Sequence, residues 1–272
     1  GIIKNLHYGL IHKGLPTMVD ISSDLLPYIK SESMPKSYTL FLNGDVAFAD
    51  ASEDTNDVAK AVEIVNCDEQ QIVSGLHTIH GRDKSDLTVI GYKGYAFASD
   101  SFHKQIRRIA QGTKVFSINV RNFDEVRVGI PSKDEQIKIA KLLRAIDLRI
   151  ATQNKIIEKL QSLIKGLIDG IITLECGQLV AFETINIDVE FLYYFMQSSY
   201  FQKEVERIVT EGTMKTAYLR DINHIKCPIP DLDRQKEISN LLSVLSLKED
   251  VEKQLLQKYQ IQKQYLLRQM FI

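Results

Sequence analysis

The most regular pattern in the chain is a run of apolar positions spaced alternately four and three apart. Ile139, Leu143, Ile146, Ile150, Ile157, Leu160, Ile164, Leu167 and Ile171 occupy it, and only Gln153 is polar at its place in the series. Such spacing keeps one face of a helix apolar through successive heptads, and that seam requires a helical partner. About 40 residues at 1.5 Å each give a rod of roughly 60 Å. A second, less regular pattern closes the chain. Ile238, Leu241, Leu242, Leu245, Val251, Leu255, Tyr259, Leu266 and Met270 are apolar there, while Glu249 and Glu252 interrupt the middle. Pro131 follows an extended segment at the start of the first rod. Asp134 and Gln136 supply side-chain acceptors for the free backbone donors of the first turn. An ordinary bundle would use such helices as core, so the pattern alone leaves two architectures open.

Ahead of the rods the pattern is mixed. Ser37 to Ala49, Val58 to Val65 and Leu87 to Ile90 are short β-rich runs, punctuated by Asn43-Gly44, Ser74-Gly75 and Gly91. Tyr92 to Ile109 predicts a helix with Phe97, Phe102 and Ile106 on its buried side. Val189 to Val209 predicts another, with Phe191, Leu192, Tyr194, Phe195 and Phe201. Aromatics at this spacing predict core rather than a stacking surface.

These elements recur. Ile130-Pro131-x-x-Asp134-x-Gln136-x-x-Ile139-x-x-Leu142-Leu143 returns as Ile229-Pro230-x-x-Asp233-x-Gln235-x-x-Ile238-x-x-Leu241-Leu242, at an offset of 99 residues. The offset extends through Leu148/Leu247, Lys159/Lys258, Gln161/Gln260 and Leu167/Leu266, and upstream through Arg121/Arg220, Phe102/Phe201, Lys104/Lys203 and Tyr95/Tyr194. With a one-residue slip Gly112-Thr113 matches Gly212-Thr213. Copy one covers about 79–173 and copy two about 178–272, and residues 1–78 have no second counterpart. The duplication favours rods that zip together. Two rods joined by a compact module at one end run antiparallel. The fold class expected is α+β, with mixed α/β modules joined by two long antiparallel coiled-coil helices. The boundaries are 1–130 for a full module, 131–175 for the first helix, 176–229 for a shortened module and 230–272 for the second helix.

Composition narrows the function classes. The 272 residues are 44% hydrophobic and 25% charged, which suits a globular protein with an ample core. No apolar stretch approaches a membrane span, and no secretory signal opens the chain. The cytoplasm is the expected location, and Gly1 at the start suggests that a native N-terminal piece precedes it. Cys67, Cys176 and Cys227 are far apart and lack metal-ligand spacing, which predicts reduced thiols. A net charge of −1 gives no global sign of nucleic-acid binding. Any such contact must be a local patch or rely on a partner.

Catalytic constellations are missing from the sequence. There is no GxGxxG, no P-loop and no Asn/Asp-Pro-Pro-Tyr/Phe segment, and Ser162–Lys165 falls on a rod face. His77 and His80 lack a third ligand at metal spacing. Asp45, Asp50, Glu53, Asp54 and Asp57 read as a solvated loop after a β run rather than as a nuclease metal site. No enzyme, cofactor or metal is expected in this chain. The one local patch runs from His103 to Arg127, where Lys104, Arg107, Arg108, Lys114, Arg121 and Arg127 face only Asp124 and Glu125. Gln111-Gly112-Thr113-Lys114 forms a small polar turn between basic flanks, which suits phosphate contact. The same segment reads equally as a solvated helix face and turn.

The paired I-P-x-x-x-x-Q-x-x-I-x-x-L-L segments, each leading into a long helix, resemble the specificity subunits of type I restriction–modification systems. Glu190-Phe191-Leu192-Tyr193-Tyr194-Phe195 with Ser199-Tyr200-Phe201, Val73-Ser74-Gly75-Leu76-His77-Thr78 and Gly44-Asp45-Val46 strengthen the likeness. The resemblance implies one complete target recognition domain reading half of a bipartite site in double-stranded DNA, and a shortened second one. It implies long helices that space the readers and dock methyltransferase subunits, with a restriction (translocase) subunit in the full complex. S-adenosylmethionine is expected on the methyltransferase partner, and a homodimer through the rods would regain two readers. Base-contacting residues differ among members of that family, and the candidates for DNA contact here are Tyr8, His12, Lys13, Ser52, Glu53, His77, Thr113, Lys114 and Arg121. The competing expectations are a coiled-coil scaffold that does not touch DNA, and the specificity region of a fused type II-like restriction enzyme.

Overall fold

The structure, a computed structural model, describes residues 2–23, 26–30, 32, 35–67, 70–174, 179–180, 187–208, 225 and 227–271. The chain divides into two compact units, residues 1–148 with 260–272 and residues 149–259. Each unit thus contains part of both rods.

The first unit opens with β1 (Ile3–Leu6), α1 (Tyr8–His12), β2 (Met18–Asp20), β3 (Val46–Ala49), β4 (Ala51–Ser52), β5 (Ala61–Val65), β6 (Gln71–Ser74) and β7 (Thr78–Gly81). Four strands form one sheet in the order β2-β5-β3-β7, with β2 and β5 parallel and the other pairs antiparallel. β1 and β6 pair separately in parallel. Alternation along the strands sends side chains to both faces. Ala47, Ala49, Val62 and Ile64 pack with Ile11 of α1 in one core. Val46, Phe48 and Ala61 pack with Phe102 and Ile106 in another. The β-rich runs of the sequence are thus real but shorter than expected. Val46–Ala49 and Ala61–Val65 are the strands, and Leu87–Ile90 is not one.

Next come α2 (Tyr92–Phe97), α3 (Asp100–Ile109), β8 (Phe116–Ser117) and a 3-10 turn over Val120–Glu125. The single helix expected over 92–109 is broken, and Ser99 is the reason. Its hydroxyl donates to the Ala96 carbonyl at 2.7 Å and accepts from the Phe102 N–H at 3.3 Å, so one side chain ends α2 and caps α3. Glu63 on β5 fixes the start of α2. Its buried carboxylate accepts from the Gly91 and Gly94 N–H groups, both at 2.8 Å. Burial nevertheless raises this carboxyl above its ordinary range.

The first rod is α4 (Lys133–Leu174), 42 residues long. Ser132 and Glu135 cap it reciprocally, in place of the expected Asp134 and Gln136. Gln136 has another task. Fully buried, it accepts from the Val89 N–H at 2.9 Å and donates to the Leu87 and Pro131 carbonyls at 3.0 and 2.9 Å. This clamp occupies the 87–90 segment, which explains why that apolar run forms no strand. In the same unit Tyr92, Tyr95, Leu143, Leu267 and Phe271 share a core. The Tyr95 hydroxyl donates to Asp147 at 2.9 Å.

The second unit holds β9 (Leu179–Val180), α5 (Val189–Gln197), α6 (Ser199–Ile208), β10 (Cys227–Pro228) and most of α7 (Leu232–Met270). The helix expected over 189–209 is again two, and Ser198 repeats Ser99. Its hydroxyl donates to Phe195 O at 2.6 Å and accepts from Phe201 N at 3.1 Å. Gln235 repeats Gln136, taking the Asp188 N–H at 2.7 Å and giving to Pro230 O at 2.8 Å. The aromatics are core as expected: Phe191, Tyr194, Phe195 and Phe201 pack with Ile164, Ile168, Ile238 and Leu242. Arg220 and Gly212-Thr213, which the repeat matched, lie outside the described residues, as does Cys176.

The rods run antiparallel. In the second unit the Arg149 guanidinium lies over the Tyr259 ring, Gln153 donates to Glu252 and Gln161 to Glu249. In the first unit Lys263 meets Asp147 at 2.6 Å. Leu143, Ile146, Gln153, Ile157, Leu160 and Ile164 are buried, which is the heptad seam of the sequence. The seam of α7 differs from expectation. Leu241 and Val251 are 48% and 54% exposed, while Glu249 and Glu252 face the partner helix. Gln153 and Gln161 across from them donate to these carboxylates. Among the described residues no helix is long and apolar enough to cross a membrane.

Candidate nucleic-acid interface

The candidate surface begins where β1 and β6 end side by side. The pairing continues beyond the strands, with Gly75 N donating to Leu6 O at 2.7 Å and Tyr8 N to Leu76 O at 3.3 Å. A Cβ at Gly75 would stand 2.1 Å from the Asn5 amide oxygen and 2.8 Å from the His7 Cβ. Only glycine lets residues 75–77 lie this close to the start of α1. His77 then takes φ +53, a left-handed conformation that few residues other than glycine adopt. Its ring meets Tyr8 edge-on at 5.2 Å, and Tyr8 meets His12 at 5.9 Å.

Asp50, between β3 and β4, holds this arrangement at three points. Its N–H donates to His77 O at 3.1 Å and its carbonyl accepts from Ile118 N at 2.9 Å. Its carboxylate meets His77 Nδ1 at 3.0 Å. His12 Nε2 lies 2.9 Å from the Ala51 carbonyl. β4 pairs with β8, placing Ser52 across from Phe116. Backbone bonds between Gln111 and Ser117 close the hairpin whose exposed turn carries Thr113 and Lys114. Gly112 makes that turn possible: at φ +140 a Cβ would fall 1.9 Å from the Val115 carbonyl oxygen.

The structure therefore joins Tyr8, His12 and His77 through ring contacts and ties them to Asp50 and Ala51, and it brings in Ser52, Thr113 and Lys114 through the β4–β8 ladder. Lys13 is the exposed C-cap of α1 and Glu53 the exposed residue after β4. Arg121 is exposed on the 3-10 turn, whose start is fixed by reciprocal Asn119 and Asn122 bonds. The 52–57 loop is braced from within: Ser52 Oγ accepts from Asp54 N, Asp54 from Asn56, and Asn56 from the Arg107 guanidinium.

The basic segment is less available than its composition suggests. Lys104 and Arg107 pair with Asp100, and Arg127 donates to the Asp124 and Val126 carbonyls. Among the described residues Lys114 and Arg121 form no ion pair. The acidic run also needs correction, since Asp45 is not in a solvated loop. It is buried beneath His80 at 2.8 Å and a bidentate Arg82. Burial pushes its carboxyl up, but the bonds from His80, Arg82 and Leu42 N outweigh that and hold it at about 2. Asp50, too, is structural glue rather than solvated charge. Its signal in the sequence was adjacency to the β run, which does not reveal a partner 27 residues away. No group of three metal-ligating side chains occurs among the described residues.

The geometry is a small mixed module with exposed polar turns, attached to long helices. The chain matches the type I restriction modification DNA specificity domain over residues 92–162 and 176–259, in two stretches falling one in each copy, and it belongs to that family. Among solved structures it is similar to the type I restriction-modification system S subunit from M. genitalium. The TM-score is 0.59 at 13% identity, covering 100% of this chain and 89% of that one. It is also similar to a chain in a structure of complex assembly and conformational transition of the type I R-M system. There the TM-score is 0.55 at 12% identity, covering 92% and 89%. No curated protein matches the sequence.

Proposed function

We propose that the chain is the DNA-reading specificity subunit of a type I restriction–modification complex, in which 1–130 reads one half-site of double-stranded DNA. Tyr8, His12, Lys13, Ser52, Glu53, His77, Thr113, Lys114 and Arg121 are its contact residues. The reading is carried by one observation. The segments α1, β4, the 75–77 turn and the 111–117 hairpin, distant in sequence, are tied together by Asp50 and its neighbours, in a chain of a DNA-specificity family. Lys114 and Arg121 supply cations for phosphates, and the imidazoles, hydroxyls and Glu53 supply hydrogen-bonding edges for bases.

The helices serve as spacer and as docking surface for methyltransferase subunits, with a restriction subunit in the full complex. Support comes from Leu241, Val244, Leu247 and Val251, which share one outward face of α7 in the second unit and are 48–66% exposed. An apolar stripe of that kind is a common mark of a partner surface. Methyl transfer and its S-adenosylmethionine belong to the partner, and this chain contributes recognition in the cytoplasm.

The test is salt-dependent binding of duplex DNA by the chain with its methyltransferase, alongside methylome sequencing of cells expressing both. Phosphate contact gives a steep fall of affinity with salt and a defined methylated motif. A scaffold gives neither.

A further inference from the structure

The reading surface contains two histidines whose protons are placed by oxygen atoms of the protein. A carboxylate or a main-chain carbonyl only accepts. His77 Nδ1 lies 3.0 Å from the Asp50 carboxylate, so in the neutral ring the proton sits on Nδ1 and Nε2 carries a lone pair. His12 Nε2 lies 2.9 Å from the Ala51 carbonyl, which in a neutral ring leaves the lone pair on Nδ1. His77 is the more accessible, with its side chain 49% exposed, and it is the more strictly held. Its backbone is left-handed and bonded to Asp50 N, the Tyr8 ring stands edge-on to the imidazole, and the Asp50 carboxylate meets Nδ1.

We infer that His77 is a specificity-determining residue that reads an exocyclic amine, the N6 group of adenine or the N4 group of cytosine, through Nε2 as an acceptor. Asp50 is the positioning residue that fixes the tautomer. In the major groove those amines are the donors of the base edges, whereas guanine O6 and N7 and thymine O4 accept. A neutral imidazole that shows only a lone pair therefore favours adenine or cytosine at one position of the site. If the proton were on the other nitrogen, the same ring would favour guanine or thymine. The inference rests on the DNA-contact reading above and deepens it to a chemical group.

The test uses the full chain in complex with its methyltransferase subunits and duplexes carrying the methylated motif. At each adenine or cytosine of the motif the amine is removed by substituting purine or pyrimidin-2-one. One position is expected at which the loss costs the unaltered complex about tenfold in affinity. It should cost the His77→Ala complex nothing further. His77→Arg, which only donates, should move the preference at that position to guanine. Asp50→Asn should relax it toward no preference, because the ring is no longer tied to a pure acceptor. A merely structural Asp50 would weaken all duplexes alike and leave the order of bases unchanged. Salt-dependent binding in which no amine is coupled to His77 overturns this inference alone. Absence of salt-dependent DNA binding by the complex overturns the underlying reading and the inference with it.

Discussion

In the first unit Gln136 clamps residues 87–89 to the start of α4, Tyr95 reaches Asp147 on that rod, and Ser99 turns α2 into α3. In the second, Gln235 holds Asp188, Tyr194 reaches Ser243 and Ser246, and Ser198 turns α5 into α6. Even the atoms agree: Val89 N and Asp188 N, each bound by its glutamine, are 99 residues apart. What stands on the two brackets differs. The first carries a four-stranded sheet and the Asp50 cluster. The described residues of the second add only the short β9–β10 pair. The repeated part attaches a module to a rod, and the unrepeated part, residues 1–78, carries most of the residues proposed for DNA contact.

The sharpest way to break this comparison is at Leu143 and Leu242, equivalent residues that are 0% and 1% exposed. Leu143→Asp and Leu242→Asp should each cost several kcal/mol by burying an unpaired charge. Hydrogen exchange should show lost protection confined to the unit that carries the substitution. Equal loss in both units from either variant would deny that the copies are separate brackets. Lys159→Ala, exposed on the first rod, should stay within about half a kcal/mol of neutral. Next in size, Gln136→Ala and Gln235→Ala strand a backbone donor and one or more carbonyls. Each should lower stability by about 1–3 kcal/mol in denaturant melts. A near-zero effect in one copy would mean that its clamp is satisfied by water.

Acid should separate the units more gently. Asp45 is held at about 2, below the ordinary value of 3.8, so its contribution is present above pH 4 and lost as pH falls from about 4 through 2. The first unit should weaken over that window, and Asp45→Asn should flatten the dependence there while leaving the second unit's response to acid unchanged. The smallest effects concern DNA. Lys114→Ala and Arg121→Ala should each reduce the salt slope of binding by about one unit with little change in stability. An unchanged slope would remove these cations from phosphate contact.

The sequence revealed the brackets better than the module built on residues 1–78. A heptad seam and an exact-offset repeat are one-dimensional signals, and Leu143, Ile157 and the paired glutamines lie where they point. The glutamine's task is not legible from its place at the helix start, because capping is local whereas Val89 is 47 residues from Gln136. Ser99 and Ser198 broke helices that periodicity drew as continuous, since each keeps the apolar phase on both sides of the corner. In that module, composition marked charge but not pairing. Asp45 and Asp50 look alike in the sequence. One lies beneath Arg82 and the other beside His77, through contacts 37 and 27 residues long.

One contact in the rod seam has a consequence of its own. Gln153 meets Glu252, and these two are the same position of the repeat, 99 residues apart. An antiparallel pair of equivalent helices has a local dyad, and a residue on a dyad meets its own counterpart. In an assembly of two identical chains that counterpart would be identical, so a carboxylate there would face a carboxylate and repel it. Joining both copies in one polypeptide lifts that degeneracy, because each side of the axis is encoded separately. Here an amide donor sits on one side and an acidic acceptor on the other, a pairing that identical subunits are unable to make.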